Sequence, residues 1–119
     1  MADAATLICS VNARGKTIQQ WKLVFDTGSS DVTPISASAG NHQFLMGLFG
    51  IDATAYNLTI KTGATSLAIA ENPASMGLAE AVDPNKYILC SRQGEALIFN
   101  SSTAAPSVLV VHVCVKDVF

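Results

Sequence analysis

Short runs of β-branched or alternating apolar residues recur along the whole chain, each closed off by Gly, Pro, Asn, Asp or Ser, and this rhythm constrains the fold more than anything else in the sequence. The runs span residues 7–11, 17–25, 44–49, 57–61, 67–70, 87–91, 96–100 and 108–115. Turn chemistry separates them: Asn12-Ala13-Arg14-Gly15, Thr62-Gly63 and Asp83-Pro84-Asn85. Helical periodicity is scarce. Residues 73–82 are the one stretch that could be helical, and Gly77 weakens them. With 119 residues the chain makes one domain (residues 1–119) and buries a single core. About eight short strands in one domain predict an all-β, jelly-roll-like antiparallel β-sandwich.

Composition narrows the function classes. Charged residues make up 13% of the chain, against about 25% in an ordinary soluble domain. With so little polar surface to cover the fold, some apolar surface is expected to meet another subunit. The net charge is −2 and no run of Lys or Arg occurs, so neither nucleic acid nor an anionic membrane is an expected partner. No apolar stretch approaches the ~20 residues of a membrane span. Met1-Ala2-Asp3-Ala4-Ala5 lacks the positive charge of a signal peptide, so export by that route is not expected. Cys9, Cys90 and Cys114 are odd in number and sit among apolar neighbours, which predicts buried free thiols.

The last run has a second use. Its alternate residues are Leu109, Val111, Val113 and Val115 on one side, and Val108, Val110, His112 and Cys114 on the other. Both sides are largely apolar, so this strand is either central or covered by a neighbouring subunit. Residues 44–49 raise the same demand, because consecutive large side chains there must point to opposite faces. The candidate subunit interface is therefore Val108, Val110, His112 and Cys114, with Trp21 as an aromatic that serves either as core or as an interface anchor.

Val24-Phe25-Asp26-Thr27-Gly28-Ser29-Ser30 reads like the catalytic loop of an aspartic protease. Such enzymes need two carboxylates sharing one proton, so that one activates water while the other protonates the scissile carbonyl oxygen. A chain with one Asp-Thr-Gly would have to be a homodimer of the retroviral type, with Asp26, Thr27 and Gly28 supplied twice. The resemblance covers about 25 residues. The closing strand lacks the glycine that follows an apolar pair in those enzymes, and residues 40–63 hold no compact glycine-rich flap. Asp-Thr-Gly-Ser-Ser is also ordinary loop chemistry after a strand.

A broader likeness spans roughly residues 41–115. Asn41-His42-Gln43-Phe44-Leu45-Met46-Gly47-Leu48 opens polar and turns apolar; residues 57–63 end in Lys61-Thr62-Gly63; an Asp83-Pro84 turn, Gly94-Glu95-Ala96-Leu97 and a Val-rich closing run follow in order. That order resembles the small jelly-roll structural proteins of tailed-phage virions. The resemblance implies a non-enzymatic capsid decoration (cement) or auxiliary head protein without catalytic residues or a cofactor. It would be assembled in the host cytoplasm, located in the virion, often homotrimeric, and partnered by itself and by the major capsid protein or other virion proteins. The first 40 residues fit this pattern less well, as an added hairpin, an arm or part of the sandwich.

No other constellation carries chemistry. His42 and His112 have no metal-ligand spacing to cysteines or carboxylates, and no Ser-His-Asp order, phosphate loop or paired-cysteine motif is present. Glu95 is expected to accept hydrogen bonds from backbone amides in its turn. A carbohydrate-binding sandwich would carry an exposed aromatic platform, and the aromatic residues here are spread through apolar runs instead.

Overall fold

The computed structural model describes residues 4–25, 31–52, 56–72, 76–80, 83, 85–102 and 109–119. Among these, the strand segments are β1 (Ala4–Ala13), β2 (Lys16–Val24), β3 (Asp31–Val32), β4 (His42–Asp52), β5 (Tyr56–Thr62), β6 (Thr65–Asn72), β7 (Met76–Glu80), β8 (Leu89–Cys90), β9 (Leu97–Ser101) and β10 (Leu109–Lys116), with no helix. They build two antiparallel sheets. The larger runs β1-β2-β10-β4, and both β7 and β8 pair with the remaining edge of β4; the smaller runs β3-β9-β5-β6.

Without β1 and β7, the layers are β2-β10-β4-β8 and β3-β9-β5-β6. The chain changes sheet at β2 to β3, β3 to β4, β4 to β5, after β6, at β8 to β9 and at β9 to β10. This double Greek-key wrapping is a jelly roll. Of the first 40 residues, β2 and β3 are strands of this sandwich, with β2 inside the larger sheet beside β10, and β1 is added at its edge as a hairpin with β2. Arg14 and Gly15 make the hairpin turn with φ of 51° and 74°. Positive φ at both central residues is the two-residue turn whose twist matches its strands.

Each of the eight runs carries a strand. The helical option for residues 73–82 is corrected, because Met76–Glu80 is strand β7, antiparallel to residues 48–52 of β4. The cause is tertiary: β4 has eleven residues, β8 covers only Phe44 and Leu45, and the unpaired backbone beyond them is satisfied by β7. Strand β3 also escapes the sequence, since a two-residue pairing has no periodicity to read.

Alternation places the core. Tyr56, Leu58 and Ile60 of β5, Leu97 and Phe99 of β9, and Val32 of β3 face Leu23 of β2, Leu45 of β4, and Leu109, Val111 and Val113 of β10. One end of the sandwich is closed by polar side chains. The buried Gln43 donates from Nε2 to the Ile35 carbonyl (2.9 Å) and accepts at Oε1 from the Leu97 N–H (2.8 Å). Ser91 Oγ accepts from the Gln43 N–H (2.9 Å) and donates to the Glu95 carbonyl (2.8 Å). Thr62 Oγ accepts from the Arg92 N–H (2.9 Å). The Glu95 carboxylate, expected on backbone amides, takes the Thr62 hydroxyl at 3.3 Å. These bonds hold the turn of residues 91–97 against β4 and β5.

Candidate subunit interface

The outward face of the larger sheet follows from register, because directly paired residues share a face. Three rows cross it: Thr6, Lys22, Val110 and Phe49; then Cys9, Gln20, His112 and Gly47; then Val11, Ile18, Cys114, Phe44 and Cys90. The two ends of this face differ.

At the third row the face is covered by the chain itself. Ile18, Phe44, Met46 and Cys114 form a second buried cluster, with Ala13, Cys90 and Phe119 packed against it. The rings of Phe44, Tyr87 and Phe119 lie 4.9–5.0 Å apart, centre to centre, and tilted or edge-on. Lys16 Nζ sits 4.6 Å from the Phe119 ring centre. Strand β10 is thus central, and the second apolar side of its far end is covered from within.

At the first row no such lid is found among the described residues. Phe49 is 48% exposed, on a strand whose inward residues Leu45 and Leu48 lie in or against the core. Val110 and Val24 are half-buried, with Lys22 exposed between them. His112, in the middle row, is half-buried and its Nδ1 is enclosed without a hydrogen-bond partner. Burial lowers its pKa below the ordinary histidine value, against a smaller opposing effect of the Gly47 backbone. At neutral pH the ring is uncharged, so this part of the face is apolar in charge as well as in shape.

Of the residues expected at an interface, Val110, His112 and Cys114 share this face, and Cys114 is already fully buried there. Trp21 belongs to the opposite face: it packs half-buried against the main core, and its Nε1 donates to Gln19 Oε1 at 3.0 Å. Val108 lies outside the described residues, as do Asp26, Thr27 and Gly28. The flanking residues are described: Phe25 is buried in the core and Asp31 opens β3. Sequence reasoning missed Phe49 as the centre of the bare strip, although the run of large side chains at residues 44–49 was the signal that could have found it.

The three thiols are free, as expected, but only Cys114 is fully buried; Cys90 is half-buried, and Cys9 is exposed like most of β1. Among the described residues no group of three or more His, Cys, Asp and Glu side chains could hold a metal ion. No protein-family model, no curated protein and no solved structure matches the chain.

Proposed function

We propose that this chain is a structural subunit of a tailed-phage virion, a capsid decoration (cement) or auxiliary head protein without catalytic residues. It assembles as a homotrimer through the bare strip around Phe49 and Val110, and it stabilises the shell by binding the assembled form. The observation that carries the reading is that strip: an exposed aromatic beside half-buried valines, on a jelly roll with few charges to shield it. The wiring of the sandwich and the order of motifs over residues 41–115 support the same reading. Burial of apolar surface, not bond making, is the chemistry.

The test is shell melting. Particles assembled without the protein should melt at a higher temperature when it is added, and Phe49→Lys should abolish the gain while remaining folded. No effect of the wild-type protein on the shell would remove the proposal. Asp26→Asn should leave this stabilisation unchanged. Tight binding of a pepstatin-type inhibitor, lost in that variant, would make the chain a homodimeric aspartic protease instead.

A further inference from the structure

We infer that β1 is a second, self-complementary assembly edge, pairing antiparallel with β1 of another copy so that two larger sheets become continuous across a two-fold axis. This stands independently of the proposed function. Strand β1 ends the larger sheet and, among the described residues, pairs only with β2. It is ten residues long, and no described residue pairs with the other side of its backbone. Long edges of this kind are usually blunted by Lys, Pro, inward charge or a β-bulge, and of these β1 carries only the bulge. Ala4-Ala5-Thr6-Leu7-Ile8-Cys9-Ser10-Val11-Asn12-Ala13 has no charged residue, no proline and no glycine. Leu7, Ile8 and Val11 are 45%, 51% and 45% exposed. The bulge at Ile8 interrupts the strand once, and residues 9–13 run in unbroken register with β2.

Charge selects the occupant. The other outer strands of more than two residues carry carboxylates, Glu71 on β6 and Glu80 on β7, and β3 carries Asp31. Among the described strands, another β1 is the outer strand of more than two residues whose sequence brings no charge to the contact. Antiparallel self-pairing is isologous, so one strand supplies both halves of the contact and the assembly closes.

The experiment is molar mass by light scattering over a range of concentrations. Ile8 is the residue to change, because it has no partner on β2 and a charge there leaves the hairpin register alone. The wild-type protein should grow from trimer towards hexamer as concentration rises. Ile8→Lys and Ile8→Glu should each stay trimeric, with unchanged thermal unfolding. Phe49→Lys should pass from monomer to dimer. Growth that persists in both charge variants overturns the β1 pairing. So does a constant trimer in the wild type together with a constant monomer in Phe49→Lys. A monomer–dimer equilibrium that Phe49→Lys leaves untouched would sink the trimer and leave this pairing standing.

Discussion

Gln43 sits on a strand where a polar residue would be expected to face water, yet it is 1% exposed. Its amide does what no apolar side chain could, tying the loop carbonyl of Ile35 to the N–H of Leu97 at the start of β9. Gln43→Ala leaves those backbone groups buried and unpaired, and it should lower stability by about 1–3 kcal/mol, read as a shift in the urea midpoint. His112 gives the pH dependence. The unfolded chain takes up its proton at the ordinary histidine value of 6.5, and the folded chain only at a lower pH. Stability from this group is therefore complete above about 6.5 and declines as pH falls below it towards the folded value. Urea midpoints on both sides of that value should show the decline, and His112→Gln should flatten it. Asp31, held below 3.8 chiefly by its hydrogen bond to Lys61, acts only in a more acid window, where its contribution is lost as pH falls. Its pair with Lys61 is solvent-exposed, and Lys61→Ala should cost no more than about 1 kcal/mol.

Among the strands, β10 shows how one element serves two cores. Its inward residues Leu109, Val111 and Val113 fill the sandwich, while Cys114 enters the outer cluster that Phe119 helps to cover. Phe119→Ala should cost about 1–2 kcal/mol, about half the burial of a full aromatic side chain. It should also make Cys114 react with a thiol reagent that in the native protein labels Cys9 first. Burial raises the Cys114 pKa and so suppresses its thiolate. The elements legible in the sequence were those whose own residues set the pattern: the alternation of β5 and β9 and the positive-φ turn at Arg14-Gly15. The illegible ones depend on distant backbone. Strand β7 exists because β4 outruns β8, and the lid of Phe119 does not follow from local spacing, whereas the alternation of Trp21 with Leu23 and Phe25 does point it to the core.

At the scale of the whole molecule, the jelly roll was legible, because eight short runs with turns between them leave few ways to bury one core. The proposed assembly surface was legible only in part. Alternation placed Val110, His112 and Cys114 on one side of β10, but which half of that side is covered depends on where the C-terminal residues fold back. Among the described residues nothing covers the strip around Phe49, and the claim that this strip holds copies together is the centre of the account. The most direct measurement is the molar mass of the wild-type protein and of Phe49→Lys at low micromolar concentration, by size-exclusion chromatography with light scattering. A trimer that Phe49→Lys dissociates without unfolding is the predicted result. A wild-type monomer, or an oligomer whose mass the substitution leaves unchanged, would contradict it.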